Sequence, residues 1–314
     1  MNILELKNVV KYFGDYKATN NVSFSIKEGT VFGLLGPNGA GKSTIIRQIT
    51  NIYMPDEGEI TLFGEKVGPE HQNRMGYLPE ERGLYKKVKV IDQLIYFAQL
   101  KGVTKSKAKE KAMQWLIKLN ASDWADKKIE ELSKGMQQKI QFISTILHDP
   151  EFLILDEPFS GFDPINVEIL KSIVLDMKKL GKTIILSTHV MNQAEQLCDE
   201  IVLINKGEVI LDGTIRDAKK RFGRDHLKLE FEGDDTWLDQ IQNIEFINRT
   251  KQNAEIKLLN GEEQAQEILK TAIENVKIYK FNLVEPDLHE IFIRMVGGDK
   301  TYDELNAEHQ EEQK

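Results

Sequence analysis

The segment GLLGPNGAGKST, residues 33–44, has the glycine spacing and the lysine that a phosphate-binding loop requires. Gly36 is followed, after four residues, by Gly41, Lys42 and Ser43, between an apolar run and a helical pattern. Closely spaced glycines let successive backbone N–H groups turn toward a phosphate at a helix N-terminus. The spacing predicts a triphosphate site in which Lys42 bridges the β- and γ-phosphates and Ser43 ligates Mg²⁺. The loop residues expected to contact the nucleotide are Gly36, Asn38, Gly39, Ala40, Gly41, Lys42, Ser43 and Thr44.

Two further segments could supply the remaining groups for phosphoryl chemistry. FLILDEPFSG, residues 152–161, is an apolar strand pattern that ends in Asp156 and Glu157. A carboxylate at the end of a buried strand beside a phosphate loop can ligand Mg²⁺, so we assign Asp156 to the metal. Glu157, one residue further on, is expected to accept a proton from an attacking water. His189 follows another apolar strand, at the sheet edge where open α/β folds bind ligands, and is expected to hydrogen-bond a γ-phosphate oxygen.

LSKGMQQKI, residues 132–140, contains a second potential anion site. Ser133 and Gly135 stand at the start of a helical pattern, and such a position can cap an anion through a hydroxyl and backbone N–H groups. The segment is far from the phosphate loop in sequence. These residues alone do not say which anion they would bind.

The elements that must position these residues follow an α/β pattern. Short β-branched runs alternate with amphipathic helical patterns through about residue 220, which predicts a parallel sheet flanked by helices. The predicted inner strands are TVFGLLG, EFLILDE and KTIILST. ILELKNVVKYF and NNVSFSIKEG predict an antiparallel pair, and residues 90–148 are expected to be mostly helical.

The pattern changes after about residue 222. Residues 223–298 alternate as β-α-β-β-α-β, which predicts a small α+β domain of the split βαβ type, with its first helix near TWLDQIQ. Residues 299–314 have little apolar matter to bury and are predicted to form a mobile charged tail. The predicted organisation is therefore a domain at 1–222, an accessory domain at 223–298 and a tail at 299–314.

Composition limits the possible partners and compartments. A chain of 314 residues with 40% hydrophobic content can bury a sizeable core. The formal net charge of −8 and the short, mixed basic runs argue against a nucleic-acid partner. Cys198 is the only cysteine, which excludes an intrachain disulfide. We see no secretory leader and no apolar run approaching the roughly 18 residues of a membrane-spanning helix, so we expect the chain itself to be soluble.

The phosphate loop, LSKGMQQ, ILDEP, SGFD and a strand-end histidine, in this order and spacing, resemble the ATP-binding subunit of an ABC transporter over residues 2–220. The resemblance implies an ATPase that binds ATP and Mg²⁺. It also implies a P-loop NTPase core with an antiparallel β subdomain and a helical subdomain. In this family the signature segment, here Leu132–Met136, closes over the nucleotide of a second copy or of a homologous subunit in a head-to-tail dimer. The residues that would face that nucleotide are Ser133, Gly135 and Gln137.

The same resemblance implies roles for residues outside these segments. Phe13, or Tyr12 in its place, would stack on adenine, and Asp163 would lie at the dimer interface. Glu80 stands where the family usually has a glutamine; its carboxylate keeps an oxygen for Mg²⁺ or the catalytic water but loses the amide donor. Lys134 stands where the family usually has a glycine, and we expect it to point to solvent because burial would cost entropy and hydration.

These departures, together with RGLY, GMQQK and the closing EPDLHEIFIRMV, resemble a prokaryotic branch of sodium-extrusion and drug-efflux ATPases with an accessory C-terminal domain. The resemblance implies export and a separate integral membrane permease, with this subunit on the cytoplasmic face of the membrane. In the family, the segment after Glu80 receives a coupling helix of the permease. The corresponding residues are Glu81, Arg82, Gly83, Leu84, Tyr85 and the helix VIDQLIYFAQL.

Two alternatives stay open. A soluble ABC ATPase without a transport role would usually carry two cassettes or a long coiled-coil insertion, and we find neither in this sequence. A GTP-dependent switch is suggested faintly by NKGE, residues 205–208, which is similar to a guanine-binding NKxD motif. Glu208 replaces the required aspartate, and NKG between two apolar runs is typical of a hairpin turn.

Overall fold

A computed structural model describes residues 1–81 and 83–296. The chain forms two compact units, Met1–Gly213 and the residues from Thr214 onward. The sequence pattern placed the division after residue 222, whereas the structure groups the helix Ile215–Phe222 with the second unit. That helix packs against the last described helix of the same unit. Arg82 and the predicted tail at 299–314 lie outside the described residues.

The first unit contains two sheets. Its parallel strands and flanking helices confirm the predicted α/β fold class. A four-stranded antiparallel sheet has the order β2-β1-β4-β5, and a six-stranded sheet has the order β10-β9-β3-β8-β7-β6. Strands β9, β3, β8, β7 and β6 run parallel. The strands are β1 (Asn2–Phe13), β2 (Tyr16–Lys27), β3 (Val31–Leu35), β4 (Glu57–Leu62), β5 (Glu65–Lys66), β6 (Met75–Leu78), β7 (Phe152–Asp156), β8 (Thr183–Thr188), β9 (Glu200–Asn205) and β10 (Glu208–Thr214).

The helices of the first unit divide between the two faces of the six-stranded sheet. Those helices are α1 (Lys42–Ile49), α2 (Val90–Leu100), α3 (Lys105–Lys118), α4 (Lys134–Ile146), α5 (Pro164–Lys179) and α6 (Met191–Leu197). Helix α1 is buried between the two sheets through Ile45, Ile46 and Ile49. Helices α2 to α5 contribute to a second core on the other face. Helices α2, α3 and α4 lie within residues 90–148, which were predicted to be mostly helical.

The three inner strands were predicted from uninterrupted apolar runs, and every residue of β3, β7 and β8 is buried. Strands covered on both faces need such runs, because neither face meets water. Since β3, β6, β7 and β8 are parallel, the residues that follow them meet at one edge of the sheet. This edge carries the phosphate loop, Glu80, Glu157 and His189.

The NKG segment forms a tight turn between β9 and β10, which is the predicted hairpin. Lys206 and Gly207 both have positive φ, 48° and 79°, as a two-residue hairpin turn of type I′ requires. The backbone N–H of Gly207 donates to the carbonyl of Ala40 at 2.8 Å. The turn therefore buttresses the phosphate loop through its backbone, and the guanine-binding interpretation has no support in it.

The second unit contains the predicted split βαβ pattern with one difference. Its elements are α7 (Ile215–Phe222), β11 (His226–Glu232), β12 (Ile244–Arg249), β13 (Asn253–Leu258), α8 (Glu262–Asn275), β14 (Lys277–Val284) and α9 (Leu288–Val296). The antiparallel sheet has the order β12-β13-β11-β14, and its apolar face packs on α8.

The structure differs from the prediction of a helix near TWLDQIQ. Only a single 3₁₀ turn forms, at Thr236–Gln240. Few residues separate it from β12, and Asp234 accepts hydrogen bonds from the backbone N–H and hydroxyl of Thr236. Such local hydrogen bonds compete with helix formation. Trp237 and Leu238 still fill the core of the unit from this short turn.

Among residues 1–81 and 83–296, none of the helices combines the length and the apolar character needed to cross a membrane.

Candidate active site

The phosphate loop can take its shape only with glycine at two positions. Gly36 has a φ of 149°, and a Cβ atom there would lie 2.2 Å from the carbonyl oxygen of Ile204. Gly41 has a φ of 108°, and its Cβ would lie 2.6 Å from the carbonyl oxygen of Ala18. Both distances are far below a van der Waals contact, and the dihedral angles disfavour side chains. The loop is therefore closed against β9 on one side and β2 on the other.

Helix α1 begins at Lys42, directly after this loop, and no side chain caps its N-terminus at Gly41. The first N–H groups of the helix are thus available to an anion. The Lys42 side chain is buried, and its ammonium donates to the carbonyls of Gly36 at 2.7 Å and Pro37 at 3.0 Å. Burial lowers the pKa of Lys42, and the nearby carboxylates Glu157, Asp156 and Glu80 act in the opposite direction.

The remaining loop residues differ in exposure. Asn38 and Gly39 are exposed at the tip, Ala40 is buried, and Ser43 and Thr44 in the first turn of α1 are half-buried. A loop tip that is open to solvent, followed by a half-buried first helical turn, leaves room for a polyanion to approach the backbone.

Asp156 ends β7 beside Ser187 of β8, its register partner. The Ser187 hydroxyl donates to Oδ1 of Asp156 at 2.7 Å, and Asp156 is only 4% exposed. Burial raises the pKa of Asp156, while the hydrogen bond from Ser187 lowers it and the charges of Glu80 and Glu157 raise it further. The carboxylate therefore lies where a cation would stabilise its ionised form.

Glu157 is held in a strained backbone conformation with its carboxylate fixed by three donors. Its φ is +46°, which is uncommon for a residue other than glycine. Oε2 accepts from the Thr188 hydroxyl at 3.1 Å, and Oε1 accepts from the His189 backbone N–H at 3.0 Å. The ring Nδ1 of His189 lies 2.6 Å from the same Oε1. This hydrogen bond is the main cause of a raised pKa of His189, with burial opposing it.

Glu80 lies two residues beyond β6 and is exposed. Its charge raises the pKa of both Lys42 and Asp156, which places its carboxylate within electrostatic reach of these two side chains. The backbone carbonyls of the residues before and after Glu80 accept hydrogen bonds from the side-chain amide of Gln141 in α4, that of Pro79 at 3.2 Å and that of Glu81 at 3.1 Å. The structure thus brings Glu80, Lys42, Asp156, Glu157 and His189 to one edge of the sheet.

The signature residues lie apart from this group within one chain. Ser133 is the exposed N-cap of α4, and its hydroxyl accepts from the Met136 backbone N–H at 3.3 Å. Gly135 is half-buried, and the Gln137 amide donates to the carbonyls of Ile129 and Leu132 at 3.1 and 3.0 Å. Across residues 1–81 and 83–296, no hydrogen bond or ion pair joins these three residues to the phosphate loop. Lys134 is exposed, as expected.

The aromatic residues expected near the base lie at the end of β1. Phe13 is 43% exposed, and its ring meets Tyr53 edge to face, with the centroids 5.3 Å apart. Tyr12 is 39% exposed, and the Lys17 ammonium lies 5.3 Å from its ring centroid. Both rings therefore offer a face or edge to solvent at the hairpin between β1 and β2.

Sequence reasoning did not assign roles to several residues that hold the site together. Ser187 and Thr188 orient the two carboxylates, although the STH segment was visible as a strand end. Tyr77 is half-buried, and burial, then the charge of Asp156, raises its pKa to about 12. Gln141 had no sequence signal, because a glutamine within a helical pattern is typical of a solvated position.

A groove opens beside this edge, between the α1 end of the core and helices α2 and α4. It has a volume of about 310 Å³. An exposed aromatic cluster lies near it: Tyr85 stacks on Phe97 at 5.9 Å and meets Tyr96 at 6.2 Å between centroids. The residues that line the groove are Thr50, Ile52, Gln72, Met75, Tyr77, Pro79, Gly83, Leu84, Phe97, Leu100, Lys101, Gln141, Ser144, Thr145 and His148.

Comparison with protein families matches two parts of the chain. Residues 19–160 match the family described as ABC transporter. Residues 213–296 match the family described as ATP-binding protein DrrA1-3-like, C-terminal domain.

Comparison with curated proteins finds relatives that align over two thirds or more of this chain. The uncharacterized ABC transporter ATP-binding protein YhaQ of Bacillus subtilis (strain 168) is 44% identical over 296 residues, covering 94% of this chain and 99% of that protein. The linearmycin resistance ATP-binding protein LnrL of the same organism is 32% identical over 306 residues, covering 94% and 98%. The Nod factor export ATP-binding protein I of Rhizobium sp. (strain N33) is 36% identical over 214 residues, covering 67% and 70%.

Comparison with solved structures finds ATP-binding cassettes of ABC transporters. An ATP-binding subunit of an ABC transporter has a TM-score of 0.66 and 30% identity, covering 70% of this chain and 93% of that chain. The ADP conformation of an ATP-binding cassette of an ABC transporter has a TM-score of 0.60 and 27% identity, covering 68% and 91%.

Proposed function

Because this chain belongs to the family of ABC transporter ATP-binding proteins, and is therefore an ATPase subunit, we propose that it binds MgATP between two copies and drives a separate membrane permease. The partner is a second copy of this chain or a homologous subunit, arranged head to tail. The proposal assigns each side chain at the sheet edge to one step of binding or hydrolysis.

The phosphate loop would bind the β- and γ-phosphates of ATP. Its helix N-terminus carries uncapped N–H groups, and Lys42 brings a buried positive charge to the same place. Such a pairing of helix N-terminus and cation favours a polyanion. Phe13, or Tyr12 beside it, would stack on the adenine, because both rings are partly open to solvent at the end of β1.

The oxygen donors at the site fit Mg²⁺, a hard cation that prefers oxygen ligands. Ser43 would hold it with its hydroxyl, and Asp156 and Glu80 with their carboxylates. The raised pKa of the buried Asp156 supports this assignment, because a bound cation would stabilise its charged form. When bound, the ion supplies positive charge that balances the phosphate oxygens.

Glu157 would accept the proton of the attacking water. Three donors fix its carboxylate, two on Oε1 and one on Oε2, so a second lone pair of Oε2 remains for a water. Its fixed position lowers the entropy cost of reaching the reactive geometry. His189 uses Nδ1 for Glu157, which leaves Nε2 to donate to a γ-phosphate oxygen when the ring is protonated.

The signature segment would bind the γ-phosphate held by the partner copy. Ser133 is exposed at the N-cap of α4, where its hydroxyl accepts a single hydrogen bond, and Gly135 lies in the first turn of the same helix. Gln137 would contribute indirectly, since its amide holds the segment before the helix. Asp163, the N-cap of α5, would lie at the same interface; its Oδ1 accepts from the Asn166 backbone N–H at 3.0 Å.

The groove beside α2 would receive a cytoplasmic helix of the permease. Its lining includes the apolar residues Leu84, Phe97 and Leu100. Leu84 belongs to the segment that follows Glu80, as does the exposed Tyr85, whose ring stacks on Phe97. Arg82 belongs to the same predicted segment and lies outside the described residues. The names of two relatives refer to linearmycin resistance and Nod factor export, which favours export as the direction of transport. The subunit would then be peripheral on the cytoplasmic face of the membrane.

The observation that carries the proposal is the geometry of Glu157, fixed by Thr188 and His189 next to Lys42 and Asp156. The shared-site arrangement is tested by mixing two inactive variants, Glu157→Gln and Ser133→Arg. A mixed dimer has one doubly altered site and one intact site. Mixing is expected to restore up to roughly a quarter of wild-type turnover, because about half of the dimers are mixed and each has one intact site. Failure of the mixture to exceed the separate variants would refute the shared site.

A further inference from the structure

Helix α4 is tied to the loop that carries Glu80 by one buried side chain. Gln141 is 4% exposed, and its Nε2 donates to the Pro79 carbonyl at 3.2 Å and to the Glu81 carbonyl at 3.1 Å. These two carbonyls flank Glu80 on either side. A single amide thus fixes the peptide units that determine where the Glu80 carboxylate lies.

Helix α4 also contacts the segment behind the proton acceptor and the strand behind Glu80. The Gln138 amide lies 3.4 Å from the carbonyl of Pro158, the residue that follows Glu157. The Thr145 hydroxyl, one turn after Gln141, lies 3.5 Å from the Tyr77 carbonyl of β6. Of these three α4 side chains, Gln141 is the one that contacts the residues on both sides of Glu80.

The same helix carries Ser133 at its other end. Gln141 lies eight positions after Ser133, about 12 Å along the axis at the rise of an α-helix. The intervening helix is anchored in the core by Ile140, Phe142 and Ile143. A shift of the Glu80 loop can therefore move helix α4 as a rigid body and displace Ser133 at its N-terminus.

The placement of Gln141 is not explained by the needs of the fold. Pro79 is half-buried and Glu81 is exposed, so this loop lies at the surface, where water could satisfy its carbonyls. An amide on the buried face of a helix loses hydration that an apolar side chain would not lose. The two hydrogen bonds to the loop offset this lost hydration of the amide, and their structural effect is to hold the loop in one position.

We propose that Gln141 is a positioning residue that couples the Glu80 carboxylate to Ser133 at the tip of α4. The proposal rests on the function proposed above, in which Glu80 serves the nucleotide of its own chain and Ser133 that of the partner. Occupation of one site would then be sensed at the other through the amide of Gln141. Nucleotide binding by the phosphate loop itself would not depend on it.

The test is a double-mutant cycle in the full chain. Gln141→Met keeps the length of the side chain and removes both donors. It is expected to leave the affinity of isolated chains for a fluorescent ATP analogue within about twofold and to lower kcat on the order of tenfold. In a Glu80→Ala background, Gln141→Met is expected to lower kcat further by less than about twofold, because the group it positions is already gone. Gln114→Met, on the exposed face of α3, is the matched control and should behave as wild type.

Two results would overturn the proposal: wild-type turnover in Gln141→Met, or effects of Gln141→Met and Glu80→Ala that multiply independently. If Gln141→Met unfolds at assay temperature, Gln141→Leu provides a second variant, since its side chain also has no donor for the two carbonyls. The same non-additivity with Glu80→Ala is expected from it. Failure of the underlying function is distinguishable, because the mixture of Glu157→Gln and Ser133→Arg would then hydrolyse ATP no faster than the separate variants.

Discussion

One carboxylate oxygen of Glu157, Oε1, is contacted twice by His189: by the backbone N–H at 3.0 Å and by the ring Nδ1 at 2.6 Å. Because both contacts come from one residue, the imidazole and the carboxylate cannot rotate independently. The same hydrogen bond raises the pKa of His189. The proton acceptor and the phosphate-facing ring are therefore positioned as a pair, with Thr188 holding the second oxygen.

We expect Glu157→Gln to retain ATP binding and to slow hydrolysis by at least about a hundredfold, the scale of losing a general base. The amide has the shape of the carboxylate, so the backbone donors of the phosphate loop are unaffected. Steady-state phosphate release and equilibrium binding of labelled ATP measure the two effects separately. Glu110→Gln, an exposed carboxylate on α3, serves as the control. Hydrolysis within a few-fold of wild type would remove Glu157 from the assigned role.

Ser133→Arg is expected to abolish cooperative ATP hydrolysis while leaving nucleotide binding by isolated chains intact. The residue is exposed at the tip of α4 and has no bond to the phosphate loop of its own chain within the described residues. A bulky arginine would block only a partner's nucleotide. Hill coefficients of hydrolysis and binding to dilute chains provide the comparison. Ser122→Arg, another exposed serine of the helical region, is the control. Parallel loss of binding and hydrolysis would mean that the signature acts within its own chain.

Local patterns were sufficient to predict the elements of this fold and the chemistry-bearing loop. The buried strands β3, β7 and β8 consist of apolar runs, and the glycine spacing at Gly36 and Gly41 reflects a backbone that tolerates no Cβ. Both signals lie within a few consecutive residues. They could therefore be interpreted without knowing which strands are neighbours.

The supporting hydrogen bonds could not be predicted, because they depend on strand order and helix packing. Ser187 reaches Asp156 only because β8 pairs with β7, and these residues are 31 positions apart. Gln141 reaches Pro79 across 62 positions. The short 3₁₀ turn at Thr236–Gln240 was missed for another reason: its buried Trp237 and Leu238 give the same apolar spacing as a longer helix.

Gly36→Ala is expected to abolish ATP binding and to destabilise the chain by a few kcal/mol, as strained backbone positions with a steric clash do. The new Cβ would lie 2.2 Å from the Ile204 carbonyl oxygen, so the loop must move away from β9. Urea unfolding and ATP binding are the measurements. Gly102→Ala is a matched control, since Gly102 has a φ of 83° but no atom within 4 Å of the added Cβ. It should cost only the strain of about 1 kcal/mol and retain binding. Equal losses in both variants would contradict the clash.

The buried His226 predicts a loss of stability of the second unit at alkaline pH. His226 is 2% exposed and lies 2.8 Å from Asp225 and 3.1 Å from Glu290, and Arg294 pairs with Asp225. Burial lowers the pKa of His226, but the bonds to Asp225 and Glu290 outweigh it and raise the pKa to about 9. Because the folded value exceeds the unfolded value of about 6.5, the stabilisation is complete below pH 6.5 and is lost as the pH rises toward 9. The expected loss is on the order of 2 to 3 kcal/mol.

Trp237 makes this prediction measurable, because it is buried in the second unit and close to no other tryptophan in sequence. In a Trp115→Phe, Trp124→Phe background, urea unfolding followed by its fluorescence should show a falling midpoint between pH 6.5 and 9. His226→Gln cannot be protonated, so its midpoint should be lower at pH 7 and nearly constant over that window. A midpoint that falls in parallel in both proteins would show that other groups, and not the pairing of His226 with Asp225 and Glu290, cause the pH dependence.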